Sequence, residues 1–184
     1  MKLMSGVSFI GLIASLVGIV MGPYLANRFG KKKVYLTAVI ISTALNLLRL
    51  LDVTSMILIY ISALIGGVAG GWMVPVSTSI QADNTTYVQY KTGKRAEAAI
   101  ASLTSFVSKV AQGLGGAIPG YVIAAYGFVT GASVQPESIN TGIILCALIL
   151  PLIFGILGSL IFGTQYTLDQ KAVIEMDAKI NRNN

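Results

Sequence analysis

The sequence is poor in charged residues and contains no histidine. Only 11% of its 184 residues are charged, 54% are hydrophobic, and the mean hydropathy is +0.77. A soluble domain usually carries about 25% charged residues, so the composition indicates an integral membrane protein. The absence of histidine excludes histidine metal sites, histidine-based catalytic triads and histidine proton relays. The single cysteine, Cys146, lies in an apolar run and forms no disulfide within the chain.

The sequence also lacks the signatures of nucleotide-binding and metal-dependent enzymes. It contains no glycine-rich phosphate loop and no cluster of metal ligands, and most of its 20 glycines lie in apolar runs. The formal net charge is +6, but the basic residues flank the apolar runs instead of forming a continuous patch. We therefore expect a protein that is not an enzyme, has no bound cofactor or metal, and does not bind nucleic acid.

Five apolar runs are long enough to cross a hydrocarbon core of roughly 30 Å as helices. We expect an all-α integral membrane protein with a membrane domain at 1–163 and spans at 4–21, 34–51, 55–80, 98–125 and 141–162. The first run is too long for a secretory signal peptide, and basic residues follow it where a cleavage site would lie. In the third, Gly66 to Gly71 form two overlapping G-x-x-x-G pairs, which predict a close-packed face. Pro75 is expected to kink or loosen that helix.

The basic residues indicate how the chain is oriented. Three segments, 28–33, the polar loop 81–97 and the tail 164–184, hold ten of the 13 basic residues. The positive-inside rule then predicts a multi-pass protein of the plasma (inner) membrane, with the N-terminus outside and the C-terminus cytoplasmic. In the tail, Leu168, Ala172, Met176 and Ile180 repeat every four residues. A capping-box pattern at 167–170 precedes this repeat, so a short amphipathic helix on the cytoplasmic surface is predicted.

The fourth apolar run carries a charge near its middle, Lys109. It belongs to a polar stripe whose members recur at spacings of three and four residues: Ser102, Ser105, Lys109, Gln112 and Gly116. Such a stripe normally faces a bundle interior or a water-filled cavity, because an intramembrane charge is costly. For Lys109, snorkelling or contact with backbone carbonyls is the alternative, and for Gln112 it is an interhelical hydrogen bond.

Three segments resemble the glycoside–pentoside–hexuronide:cation symporter family, the family of the melibiose permease. They read A-D-N-T-T-Y-V-Q-Y-K-T-G-K-R-A-E at 82–97, S-F-V-S-K-V-A-Q-G-L-G-G-A at 105–117 and Y-T-L-D at 166–169. The resemblance covers nearly the whole chain. It implies that the five predicted spans correspond to helices 8–12 of a twelve-helix major-facilitator fold. It also implies that the chain is a fragment that lacks the N-terminal half. Thr86 and Gln89 stand where the family usually has acids, whose charge pairs would help to close the cytoplasmic side.

The resemblance implies symport of a glycoside, pentoside or hexuronide with Na⁺, H⁺ or Li⁺ by alternating access. Lys109 would then couple the cation, and an acidic partner would have to come from another segment. The expected cavity lining is Ser105, Gln112, Gly116 and Trp72, although a packing role is the alternative for Trp72. The expected cytoplasmic gate residues are Asp83, Tyr87, Lys91, Gly93 and Arg95. The competing hypothesis is a truncated, non-transporting membrane protein that packs against partner helices.

The charge pattern makes a topological prediction. In a Cys146→Ser background, Lys31→Cys and Lys91→Cys should resist an impermeant thiol reagent added to intact cells, whereas Ser133→Cys should react. Labelling of position 31 without labelling of position 133 would reverse the predicted orientation.

Overall fold

The computed structural model describes residues 2–132 and 134–182, so the predicted outside loop is described on both sides of Ser133 but not at Ser133 itself. The described residues form helices and short connections, without β-strands. The all-α prediction is confirmed. The elements are α1 (Lys2–Phe29), α2 (Lys31–Leu51), α3 (Met56–Thr92), α4 (Glu97–Ala125), α5 (Ser138–Ile144), a π-helix (Leu145–Ile149), α6 (Leu150–Gln165) and α7 (Gln170–Arg182).

Four helical segments among the described residues are long and apolar enough to cross a membrane. They are Ser5–Phe29, Lys31–Leu51, Met56–Thr92 and Ser138–Gln165. The predicted helix at 98–125 is present as α4, but it is not one of these four. The cause is its polar stripe, because Lys109 and Gln112 offset the apolar residues around them. The protein is therefore a multi-pass membrane protein with four strongly apolar helices and a fifth that carries a polar face.

The structure extends the first and last predicted spans. The first was predicted to end at Met21, but α1 continues through Pro23 to Phe29. Apolarity marks where a helix leaves lipid, not where its hydrogen bonds end, so the helix runs on into the basic segment. The last span, predicted at 141–162, is one continuous helical segment from Ser138 to Gln165. Its π-helix ends at Ile149, two residues before Pro151, and the wider turn accommodates the missing N–H of the proline.

The polar loop predicted at 81–97 is mostly helical, which corrects that prediction. α3 continues without interruption to Thr92, and only 93–96 connect it to α4. The segment from Gln81 to Thr92 contains no glycine or proline that would end a helix. Gly93 ends it with a φ of 68°, the left-handed conformation that glycine adopts without strain. α3 also runs unbroken across Pro75.

Small residues bring α1 and α3 into backbone contact. A Cβ on Gly67 would lie 2.7 Å from the Gly11 carbonyl oxygen, and a Cβ on Gly71 would overlap the Ser15 backbone. One of the two predicted G-x-x-x-G pairs therefore forms the close-packed face, whereas Gly70 of the other pair meets nothing within 4 Å. A stripe on α1 that the sequence analysis missed completes this contact: Gly11, Ser15, Gly18 and Gly22.

The tail helix α7 packs along the end of α3. The side chains of Leu168, Ala172, Met176 and Ile180 are half-buried, whereas most other positions of this segment are exposed. Lys179 Nζ lies 5.7 Å from the centre of the Tyr90 ring. The predicted four-residue repeat thus marks the buried face of α7, and that face contacts α3. The predicted capping box does not form, because α7 begins at Gln170, with Asp169 Oδ1 accepting from its N–H.

The glycine contact predicts opposite effects at two adjacent positions. Gly71→Ala should lower the free energy of unfolding by about 1–3 kcal/mol, because the added methyl group displaces the α1 backbone. Gly70→Ala is the matched control, because it adds the same methyl group in open space and should be neutral or slightly stabilising. Thermal unfolding of the purified variants in detergent measures both effects, and equal melting temperatures for the two would contradict the packing described here.

Candidate functional site

An ion pair joins α2 to α3 at one end of the bundle. Lys31 Nζ lies 2.7 Å from both carboxylate oxygens of Asp83, and Asp83 is the charged residue that the described part of the chain buries most completely. Gly30, with a φ of 88°, makes the turn that starts α2 at Lys31. Lysine at a helix N-terminus is unfavourable because the helix dipole is positive there. Asp83 offsets that repulsion, and Lys31 in turn neutralises the buried carboxylate.

Tyr166 brings the end of α6 to the same carboxylate. Its hydroxyl donates to Asp83 Oδ2 at 3.3 Å. Burial, together with the nearby negative charge of Asp83, raises the pKa of the Tyr166 hydroxyl above its usual value. The hydroxyl therefore stays protonated at physiological pH and remains a donor.

An aromatic stack continues from Tyr166 into the bundle. The Tyr166 and Phe162 ring centres lie 4.9 Å apart, and the Phe162 and Tyr35 ring centres lie 4.6 Å apart. Tyr166 also belongs to a buried cluster with Val76, Ile80 and others. We call Lys31, Asp83 and Tyr166 the polar node; it joins the start of α2 and the C-cap of α6 to α3.

A small cavity opens at the polar node. It has a volume of about 210 Å³ and is bounded by the α1–α2 turn on one side and by the α6–α7 connection on the other. Its lining residues are Phe29, Gly30, Lys31, Lys32, Lys33, Asp83, Tyr166, Thr167, Leu168, Asp169 and Gln170. Asp83 and the Y-T-L-D segment at 166–169, which come from two segments quoted above for their family resemblance, therefore line the same cavity.

The predicted gate residues do not form one cluster. Asp83 is buried in the polar node, whereas Tyr87 and Lys91 lie one and two turns further along α3, with Lys91 Nζ 5.9 Å from the Tyr87 ring centre. Gly93 is the C-cap of α3. Arg95 lines a separate polar cavity of about 390 Å³ between α3, the start of α4 and α7. The cytoplasmic position of these residues stays a prediction.

The polar stripe of α4 lies apart from the polar node. Residues 101–118, which include Ser105, Lys109, Gln112 and Gly116, are exposed on every side of the helix. Lys109 has no hydrogen bond or ion pair with the described part of the chain. The acidic partner expected from another segment therefore stays a prediction.

Trp72 is not brought together with the α4 stripe. It packs against a buried cluster that includes Ala26 and Val34, on the α1–α2 side of α3. Its indole N–H is buried and has no partner among the residues the structure describes. This placement agrees with the packing alternative, and a role of Trp72 in lining a cavity stays a prediction.

Sequence reasoning missed two members of the polar node. It counted Lys31 only as part of the basic flank of a span, and it quoted Tyr166 only as part of a family motif. Neither residue is distinguished by local pattern, because 52 and 83 positions separate them from Asp83. The one available signal was the acid Asp83 in a polar segment whose other charges are mostly basic, because such an acid calls for a cationic partner.

The comparison with known proteins identifies the family. A family model described as MFS/sugar transport protein matches residues 1–170. The chain belongs to this family. Its relatives include the glucuronide carrier protein homolog of Escherichia coli (strain K12), which is 30% identical over 90% of this chain. An uncharacterized symporter of Bacillus subtilis (strain 168) is 32% identical over 96% of the chain, and the isoprimeverose transporter of Lactiplantibacillus pentosus is 26% identical over 70%.

The chain spans only part of the length of these relatives. It covers 38% of the glucuronide carrier homolog, 39% of the Bacillus symporter and 27% of the isoprimeverose transporter. The polar node and the α4 stripe both lie within the matched residues 1–170.

The polar node predicts an energetic coupling between its two charges. Asp83→Asn leaves Lys31 without a counter-ion, so the free energy of unfolding should fall by about 1–3 kcal/mol. This cost lies between those of breaking a typical surface ion pair and a fully buried one. Lys31→Gln should cost a similar amount, because it leaves the buried carboxylate unneutralised. The double variant should cost less than the sum of the two single costs.

Thermal unfolding in detergent measures the three variants. Lys32→Gln is the control, because it removes an adjacent positive charge that makes no ion pair with the described residues. Strict additivity of the two single effects would contradict a direct Lys31–Asp83 interaction.

Proposed function

We propose that this chain forms the C-terminal part of a secondary active transporter that carries a sugar together with a cation. The substrate class is a glycoside, pentoside or hexuronide, and the coupling cation is Na⁺, H⁺ or Li⁺. The match to sugar transport proteins over residues 1–170 supports this proposal. So does the relatives' greater length, because alternating access requires two opposing halves around a midplane site.

The exposure of α4 is the observation that carries the proposal. Residues 101–118 of α4 are exposed on every side, and Lys109 has no ion pair with the described residues. Such a helix needs further helices around it in a membrane. We infer five spans in the assembled protein, corresponding to helices 8–12 of the major-facilitator fold, with α4 beside the missing N-terminal half. Its polar stripe would then line the central cavity, and its apolar side would pack against neighbouring helices or lipid.

The polar node gives this half a defined mechanical role. By joining α2, α3 and α6 at one end, it keeps those helices together as a rigid unit while the two halves rock. Asp83 is thus engaged within its own half. Lys91 and Arg95, which the node does not use, are the residues available to the opposing half as a cytoplasmic gate.

Lys109 is proposed as the cation-coupling residue. It lies about ten residues from either end of its hydrophobic run, so roughly 15 Å of helix separates it from each interface. A lysine side chain can snorkel only part of that distance, which favours a cavity or an acidic partner from the opposing half. Its charge would compete with, or respond to, a cation bound by such an acid.

The test uses a transporter assembled by co-expressing this chain with a matching N-terminal half. Lys109→Ala should abolish cation-driven sugar accumulation, while the amount of protein in the membrane stays equal or rises, since removal of an intramembrane charge favours insertion. Sugar uptake with and without a cation gradient, normalised to membrane protein, is the measurement.

Val110→Ala is the matched control, because Val110 is the next residue on the same exposed helix and faces away from the polar stripe. Unchanged coupling in Lys109→Ala would remove the proposed role of the lysine. Sugar accumulation by the purified chain alone, in liposomes under a cation gradient, would contradict the need for an opposing half.

A further inference from the structure

An apolar groove lies beside the basic end of the bundle and is separate from the polar node and the α4 stripe. It has a volume of about 400 Å³ and lies between α1, α2 and Trp72 of α3. Its lining residues are Met21, Leu25, Phe29, Lys33, Val34, Thr37 and Trp72. Lys33 is the one charged residue among them, and no acid lines the groove.

The groove ends at a positive charge that the described chain does not neutralise. Lys33 is exposed, and its ammonium makes no hydrogen bond or ion pair with the described residues. The nearby Asp83 carboxylate is occupied by Lys31. Arg28 adds further positive charge at the same end, since its guanidinium lies 5.5 Å from the centre of the groove-lining Phe29 ring.

The length of the groove matches one leaflet of a bilayer. Along α1 it extends from Met21 to Phe29, which is roughly 12 Å at 1.5 Å per residue. The hydrocarbon core is roughly 30 Å thick, so one leaflet contributes about half of that. A lipid chain in the groove would therefore run from the membrane interior to a headgroup beside Lys33.

We propose that this groove binds one acyl chain of an anionic phospholipid, with the headgroup phosphate at Lys33. An acyl chain gains little free energy by leaving the surrounding lipid for an apolar groove. The shape of the groove therefore accommodates a chain but does not select one lipid over another. The selectivity comes from the uncompensated lysine, which attracts an anionic headgroup at the membrane surface. A protein helix could occupy the groove equally well by shape, but it would have to bring an acid to Lys33.

The test is a lipid titration of the purified chain in detergent, followed by native mass spectrometry. Phosphatidylglycerol and phosphatidylcholine with identical acyl chains are compared. We expect one phosphatidylglycerol molecule to bind more tightly than phosphatidylcholine, and Lys33→Gln to weaken its binding about fivefold. Lys94→Gln removes the same charge from the exposed α3–α4 connection and should leave the affinity unchanged.

A second variant tests the groove independently of charge. Thr37→Phe narrows the groove without altering the net charge, so it should also weaken phosphatidylglycerol binding, while the helical circular dichroism stays unchanged. Inorganic phosphate at millimolar concentration should not displace the lipid, because it has no acyl chain.

Several results would overturn the proposal. Equal binding of the two lipids, an equal effect of Lys94→Gln, or no effect of Thr37→Phe would each exclude a charge-selective lipid groove. Displacement of phosphatidylglycerol by inorganic phosphate would show that the groove binds only an anion and not an acyl chain. Loss of phosphatidylglycerol binding on assembly with an N-terminal half would make the groove a contact between halves.

Discussion

A buried carboxylate needs a cation, and the arrangement of one end of this bundle follows from that constraint. Asp83 lies on a helix that crosses the membrane, and its charge is satisfied by Lys31 at 2.7 Å and by the Tyr166 hydroxyl at 3.3 Å. Because the two partners come from different helices, one carboxylate fixes the positions of α2, α3 and α6. The end of α3 is held against the rest of the bundle, and α7 can then pack along it.

A different force holds the helices together inside the membrane. Apolar burial contributes little between helices in lipid, so close backbone packing takes its place. Gly67 and Gly71 of α3 meet Gly11 and Ser15 of α1 at distances that exclude side chains. The polar node fixes one end of the bundle, and the glycine contact fixes its interior. The four helices that these contacts join, α1, α2, α3 and α6, form a unit suited to moving as a rigid body.

The sequence predicted the parts of the structure that depend on local pattern. The all-α membrane class, the helix at 98–125, the close-packed face at Gly67 and Gly71 and the buried face of α7 follow from periodicity and composition. The predicted end of the third helix at residue 80 is wrong, because the polar residues from Gln81 to Thr92 favour a loop by composition but include none that breaks a helix. The partners of Asp83 were missed, since pairing over 52 and 83 positions leaves no local trace.

The central claim is that the polar segment after residue 80 is helix held to the bundle, and hydrogen–deuterium exchange of its amides tests this most directly. Amides in a packed helix exchange slowly, and those of an unpaired connection exchange rapidly. In the purified protein, slow exchange should continue from the membrane part of α3 through Thr92 and become rapid only at 93–96. Rapid exchange beginning at Gln81 would show a loop there, and Asp83 could not then hold α2, α3 and α6 together.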